Sequence, residues 1–463
     1  MRVALVHDYL NEFGGAERVL LALSEIWPKA PIYTAFYRKG SSAYERFKNK
    51  DIRTSWAQKV PLFSRYLHSP LRFLAPLIWD SFDFSNFDVV IGSSSWYVTK
   101  GFKKRNPSTP LRLPFDSLRS LRIAQDRSGS LRIAQGRSGS QRTVEVCYCH
   151  TSPRYLYGYK TSVDWQRYWP VKVYALLVNH FLRVYDFEAA QRVDWFIANS
   201  KEVQARIKKF YRRDSVVIYP PVDVNRLSLL VNWVKKKNPM NDLRLTMNSY
   251  FLVVSRLVAS KNVDVAVEVY AKLGLPLKVV GAGRELENLK KLAGITSNLA
   301  DRSKKVKNDV ELKLDKHSRS EVRESLGEHS GSEDRSTIEF LGEVSDEELI
   351  RLYQNCRAVI FAASQEDFGL VPVEAMAAGK PVIVNAEGGV LESVIDWTAG
   401  RGKCTGVYFN PPTAGSLTLA INNFIDLERR GYFDPKFIRA HAQKFSIERF
   451  KREILKFVES KVE

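Results

Sequence analysis

Short apolar runs recur along the whole chain, each followed by a turn and then by a stretch with helical spacing. In the first half Val3–Val6, Pro31–Phe36, Asp88–Ile91, Val144–Cys149, Trp195–Ala198 and Val216–Tyr219 read as strands. In the second half Phe251–Ser255, Leu277–Val280, Thr337–Phe340, Ala358–Ala363 and Val382–Val384 do the same. Strands alternating with amphipathic stretches predict an α/β fold with parallel, doubly wound sheets. The stiff sequence Y-P-P-V-D, Tyr219–Asp223, marks the domain boundary. The expected organisation is a first domain over 1–222, a second over 223–445, and a C-terminal helix over 446–463 that packs back on the first domain.

The stretch from Ala358 to Val384 is the densest in chemistry. An apolar strand leads into a short helix with Pro372 near its first turn and Gly379 at its end, and a second strand follows. Its loop therefore sits at the carboxyl edge of a parallel sheet, where such sheets bind ligands. Glu366 stands before the helix and Glu374 is expected in its first turn. Gly369 allows close backbone approach, and N–H groups at a helix start favour anions. A phosphate could lie there between two acceptors for sugar hydroxyls. The plainer alternative is that Glu374 complements the helix dipole and Glu366 is solvated.

Other strand ends carry further candidates. Gly14-Gly15 bends the chain after the first strand, as a seat for a diphosphate or acceptor or as a structural turn. His150 ends the strand Val144–Cys149. Arg256 and Lys261 share the loop after Phe251–Ser255 and could hold two phosphates from one side. G-A-G-R-E-L, from Gly281, opens another helix, and Ser345 with Glu348 three residues on caps a third.

Composition narrows the setting. With 463 residues, 71 Lys+Arg and 51 Asp+Glu, the net charge is +20, which suggests anionic partners. Ten Lys/Arg and only two Asp fall within residues 103–142, so much of the excess is local. That segment contains the tandem decamers L-R-I-A-Q-D-R-S-G-S and L-R-I-A-Q-G-R-S-G-S, residues 121–140, and reads as a mobile surface insertion over 104–142. A second, charged insertion is expected over 300–336. Four cysteines make no disulfide framework, which fits a reduced cytoplasmic setting. Neither a signal peptide nor a membrane-spanning run is read in the sequence. Residues 63–79 and 165–185 mix aromatic, aliphatic and basic positions at helical spacing, the pattern of a core helix or of one lying on an anionic membrane.

Together these motifs resemble the family-4 retaining glycosyltransferases of the GT-B type. The resemblance rests on E-D-F-G-L-V-P-V-E, with its two glutamates eight apart, and on G-G-A-E-R, C-H-T-S-P-R-Y, I-A-N-S, Y-P-P-V-D and S-R-L-V-A-S-K in order. A narrower resemblance, to the GDP-mannose-dependent mannosyltransferases of bacterial O-antigen and related polysaccharide assembly, rests on W-D-S-F-D-F-S-N-F-D-V-V-I-G-S-S and Y-C-H-T-S-P-R-Y as well. It implies two Rossmann-like domains facing a cleft, with a nucleotide-sugar, GDP-mannose, as donor and a glycan or lipid-linked glycan as acceptor.

In that scheme Arg256 and Lys261 neutralise the diphosphate and Glu374 holds the ribose. Glu366 and the backbone of Phe368, Gly369 and Leu370 hold the sugar, His150 contacts it, and Gly14-Gly15 lies under the phosphates or the acceptor. Ala282 and Arg284 depart from the Asp and Pro that relatives often show. No cofactor and no metal are expected, since no two aspartates are separated by a single residue. The implied location is cytoplasmic or peripheral on the inner membrane face, with no nucleic acid as partner. The rival readings are a glucosyltransferase or epimerase on the same fold, and a non-catalytic polyanion-binding protein.

Overall fold

The computed structural model describes residues 1–102, 143–159, 169–225, 250–294 and 338–462. The duplicated decamers and both expected insertions lie outside these residues. The chain divides into two compact units, Met1–Pro221 with Phe445–Glu463, and Val222–Lys444.

The first unit is built on seven parallel strands: β1 Val3–His7, β2 Ile32–Thr34, β3 Ile52–Thr54, β4 Val89–Ser94, β5 Val144–Cys149, β6 Trp195–Ala198 and β7 Val216–Val217. Their spatial order is β3-β2-β1-β4-β5-β6-β7. Continuous apolar runs suit such a sheet because both faces are covered. In β1, Val3 and Leu5 enter one core while Ala4 and Val6 enter the opposite one. In β5, Cys147 and Cys149 point the same way, into a core with Phe196 and Ile207, and both are free thiols.

The helix Ile447–Val462 returns to this unit from the far end of the chain. Phe450, Ile454 and Val458, four residues apart, are fully buried in the core that holds Leu5 and Tyr148. The Phe450 ring meets Tyr148 edge-on at 5.8 Å, and Arg449 donates to the Tyr219 carbonyl at 2.8 Å.

The second unit has six parallel strands: β8 Phe251–Val254, β9 Leu277–Val280, β10 Ile338–Gly342, β11 Val359–Phe361, β12 Val382–Asn385 and β13 Gly406–Phe409, in the order β10-β9-β8-β11-β12-β13. Both sheets are doubly wound. The winding reverses between β1 and β4 in the first unit and between β8 and β11 in the second. The carboxyl ends of those strand pairs are where an open α/β sheet leaves a crevice for ligands.

One expected helix is corrected. Residues 63–79 form a π turn at Phe63–Leu67, a 3-10 turn at Arg72–Leu74 and a short helix at Ala75–Trp79. Pro70 cannot continue the first turn, whereas Pro76 sits in the first turn of the last helix, where its missing N–H costs nothing. Among the described residues, no helix is long and apolar enough to cross a membrane.

Candidate active site

In the second unit the loops after β8 and β11 are joined by side chains. Lys261, in the 3-10 turn Ala259–Lys261, donates to Glu366 Oε2 at 2.5 Å, and both side chains are mostly buried. Asn262, in the left-handed region at φ +48°, donates to the Ala362 carbonyl at 2.9 Å and to Ser364 Oγ at 2.8 Å. Asn385 at the end of β12 donates to the Ala363 carbonyl at 3.2 Å. Arg256 opens the same β8 loop with an exposed side chain. A small cavity between the two strand ends is lined by Val254, Ser255, Lys261, Phe361 and Ala363. Cationic Lys261 and anionic Glu366 thus meet at the point where the sheet reverses its winding.

The helix Leu370–Ala377 starts four residues after Glu366. Gly369 is its N-cap at φ +83°, a conformation that L side chains resist. Gln365, immediately before Glu366, also has a positive φ, +52°, and strained backbone of this kind gathers at functional sites. Phe368 is buried, so only its main chain is offered to a ligand.

The loop after β12 holds Glu366 from the other side. Gly389 N–H donates to the Glu366 carbonyl at 2.8 Å, and Gly388 pairs with Glu366 in an isolated parallel bridge. A Cβ on Gly388, itself at φ +80°, would run into the Glu366 main chain.

Glu374 is not in the first helical turn. It is the fifth residue of the helix, past the turn whose N–H groups lack intrahelical acceptors, and it is buried. The Tyr353 hydroxyl donates to its Oε2 at 2.9 Å. The dipole reading therefore gives way to a buried, oriented acceptor. The G-A-G-R-E-L glycines have a local reason as well. Side chains at Gly281 and Gly283 would strike the carbonyls of Ser255 and Leu257, so they let the β9 loop press against the β8 loop that carries Arg256.

In the first unit, Gly14 caps the helix Gly15–Ile26 and its N–H donates to Glu17 Oε2 at 2.8 Å. The other Glu17 oxygen meets His7 Nε2 at 3.3 Å; His7 Nδ1 lies 3.0 Å from Ser93 Oγ, and Ser93 Oγ lies 2.8 Å from His150 Nε2. This line of four side chains runs across the carboxyl ends of β1, β4 and β5. Burial works to raise the Glu17 pKa, but the His7 contact and the Gly14 N–H carry it below the usual value. Burial, reinforced by His7, pushes His150 down to about 4, so its ring is neutral near pH 7.

The ionised Glu17 accepts from His7 Nε2. With His7 neutral, the Ser93 hydroxyl donates to His7 Nδ1 and accepts from His150 Nε2, which leaves the His150 Nδ1 lone pair as the acceptor. A protonated His7 still donates to Glu17 but reverses both Ser93 bonds, which makes His150 Nδ1 a donor.

The structure thus brings Lys261, Glu366, Phe368, Gly369 and Leu370 together, with Arg256 on the adjoining loop and Glu374 one turn along the helix. It brings Gly14 and His150 into one network in the other unit, with Gly15 opening the helix beside them. Sequence reading missed Glu17, His7, Ser93, Asn262, Tyr353, Gly388 and Asn385. E-G-G-V at Glu387–Val390 carried a signal, since paired glycines after a strand mark close backbone approach. The others are ordinary residue types tied in by tertiary contact. Among the described residues, no group of three or more His, Cys, Asp or Glu is placed to hold a metal ion.

Residues 328–444 match the family described as Glycosyl transferases group 1, a span that includes Glu366, Gly369 and Glu374. This stretch is similar to the group 1 glycosyl transferases. Curated relatives extend the similarity beyond this stretch. The alpha-1,3/1,6-mannosyltransferase ALG2 of Kluyveromyces lactis is 28% identical over 256 residues, 52% of this chain and 48% of that protein. Human ALG2 is 27% identical over 206 residues, 43% of this chain and 44% of the relative. The matched stretches thus span about half the length of these relatives.

Two solved structures share the fold along nearly the whole chain. Anabaena HepE in complex with UDP has a TM-score of 0.59 at 16% identity, covering 99% of this chain and 100% of that one. Sucrose-phosphate synthase from Thermosynechococcus elongatus has a TM-score of 0.61 at 16% identity, covering 99% of both chains. The chain therefore has the GT-B fold of two Rossmann-like, parallel-sheet domains.

Proposed function

We propose that this protein is a retaining glycosyltransferase that moves mannose from GDP-mannose to a glycan or lipid-linked glycan acceptor without a metal ion. The observation that carries the reading is the Lys261–Glu366 pair beside the Gly369 helix start, at the sheet's switch point, with Glu366 and Gly369 inside the span that matches the group 1 family. The names of the ALG2 relatives support mannose as the sugar.

Loss of a nucleoside diphosphate from a sugar leaves an oxocarbenium-like carbon and a developing negative charge. Fixed cations at that charge are a large catalytic term. Arg256 supplies a planar fork and Lys261 a mobile ammonium. Lys261 moves from Glu366 onto the diphosphate, which leaves the Glu366 carboxylate to take sugar hydroxyls. Tyr353 orients Glu374 toward the ribose hydroxyls. In the first unit, the Glu17 carboxylate on the Gly14 N–H disfavours a phosphate there, so the Gly14-Gly15 turn and His150 serve hydroxyl-bearing groups rather than a phosphate.

The test is transfer from labelled GDP-mannose, UDP-glucose and related donors to a lipid-linked acceptor extract, with excess EDTA, beside Arg256→Ala and Lys261→Ala. Transfer from GDP-mannose that survives EDTA and falls on the order of 100-fold or more in each variant is expected. Turnover with UDP-glucose alone would overturn the donor. Activity that vanishes in EDTA and returns with magnesium, or near-normal turnover in both variants, would overturn the charge scheme.

A further inference from the structure

The helix Trp169–Arg192 belongs to the first unit and turns Ala175, Asn179, Leu182, Asp186 and Ala189 inward. A surface helix of this kind ordinarily carries polar residues on its other face. Here the other face is apolar: Trp169, Val173, Leu176 and Leu177 are 75%, 51%, 68% and 67% exposed. These four fall on one side of the helix by their spacing, with Lys172 and Arg183 beside them.

A neighbouring segment carries further exposed apolar side chains. Residues 61–73 adjoin the helix through the Tyr174 hydroxyl on the Pro70 carbonyl and through Arg72 on Asn179 Oδ1 at 3.0 Å. That segment exposes Leu62 and Tyr66, each at 62%, with Lys59 and Arg65 also exposed beside them. Leu62 has a left-handed backbone at φ +61°, an uncommon conformation for a branched side chain, and it stands out in solvent.

We propose that this face docks on an anionic lipid bilayer. Exposed apolar side chains grouped on one face mark a protein or a membrane partner, and charge decides between the two. Residues 56–79 and 169–185 contain no Asp or Glu, while Lys59, Arg65, Arg72, Lys172 and Arg183 are all cationic. A protein partner would have to supply a carboxylate for each cation in register, whereas an anionic leaflet supplies diffuse negative charge over the whole surface. The aromatic residues agree, since Trp and Tyr rings prefer the headgroup level. Burial of leucines beneath them adds the hydrophobic part of an interfacial attachment. The attachment is peripheral, and it stands independently of the sugar and nucleotide assigned above.

The experiment is sedimentation of the full chain with vesicles of phosphatidylcholine alone and of phosphatidylcholine mixed with phosphatidylglycerol, at low and high salt. The wild type is expected to sediment with the mixed vesicles and much less with the neutral ones, and to be released by salt. Leu176→Glu with Leu177→Glu should weaken partitioning by roughly tenfold or more. Lys172→Glu with Arg183→Glu should do the same while leaving the apolar stripe in place. Circular dichroism melts confirm that both variants fold, since each replaced side chain is exposed. Vesicle binding unchanged in both folded variants would assign it to another part of the chain and overturn the proposal. So would absence of vesicle binding, or a dimer that the leucine variant dissolves.

Discussion

Gly388→Ala tests whether the candidate site depends on the exact position of the Glu366 main chain. Gly388 sits at φ +80°, and a Cβ there would stand 3.0 Å from the Glu366 nitrogen and about 1 Å inside van der Waals contact with the Glu366 carbonyl oxygen. Relief requires the main chain of Glu366 to retreat by roughly that distance. Lys261 Nζ now lies 2.5 Å from Glu366 Oε2, so a shift of about 1 Å takes the pair out of hydrogen-bonding range. Misplacement by ~1 Å in a catalytic arrangement costs about 100-fold in rate, equal to some 2.7 kcal/mol of transition-state stabilisation.

The control is Gly402→Ala. Gly402 has a similar φ, +70°, but nothing lies within 4 Å of its Cβ. Both variants should lose ~1–2 kcal/mol of stability from the left-handed backbone alone. Only Gly388→Ala should also lose transfer. The assay is kcat/KM for sugar transfer with thermal unfolding measured in parallel. If Gly388→Ala retains transfer within a few-fold of Gly402→Ala, the loop after β12 does not position Glu366 and the reasoning fails.

Glu366→Gln should abolish transfer with little loss of nucleotide affinity, whereas Glu374→Gln should chiefly weaken nucleotide binding; equal affinity losses measured by calorimetry would refute that division. Tyr353→Phe should weaken nucleotide binding in the same direction as Glu374→Gln but less, because it removes only the hydroxyl that orients the carboxylate, and an unchanged Kd would show that Tyr353 is structural alone. His150 supplies a pH dependence. Its folded pKa of about 4 lies below the ordinary histidine value of 6.5, so between those values the unfolded chain binds more protons. Stability is full above about pH 6.5 and is lost as pH falls toward 4, by up to about 3 kcal/mol. His150→Asn should flatten that part of the curve of melting temperature against pH, and an unaltered acid limb would contradict it.

Much of the fold is legible in the sequence because buried parallel strands are continuous apolar runs. Val144–Cys149, Trp195–Ala198 and Leu277–Val280 end where the hydrophobic residues end. The strands that escape notice lack that signal. Ile52–Thr54 carries an arginine at its centre and lies at a sheet edge, and Gly406–Phe409 begins on a glycine. Residues 63–79 mislead because their hydrophobic spacing survives while Pro70 breaks the backbone that would express it.

In the candidate site, Lys261 and Glu366 are each legible from their loops. Their ion pair joins positions 105 apart and follows only once β8 and β11 are neighbours. The Glu17–His7–Ser93–His150 line is hidden for the same reason, since its four members come from three strand ends and a helix.

The return of the helix Ile447–Val462 has a consequence for how the protein is made. Its Phe450, Ile454 and Val458 complete a core whose other members, Leu5 and Tyr148 among them, are synthesised hundreds of residues earlier. On the ribosome, domains fold as units in order of emergence, but here the first unit waits with an open apolar groove while the whole second unit is translated. The second unit, contiguous from Val222 to Lys444, has all its chain before the first does. A nascent chain arrested just before Phe445 therefore holds a finished second unit and an unfinished first one. A fragment cut at Pro221 exposes the surface that the last helix is built to cover.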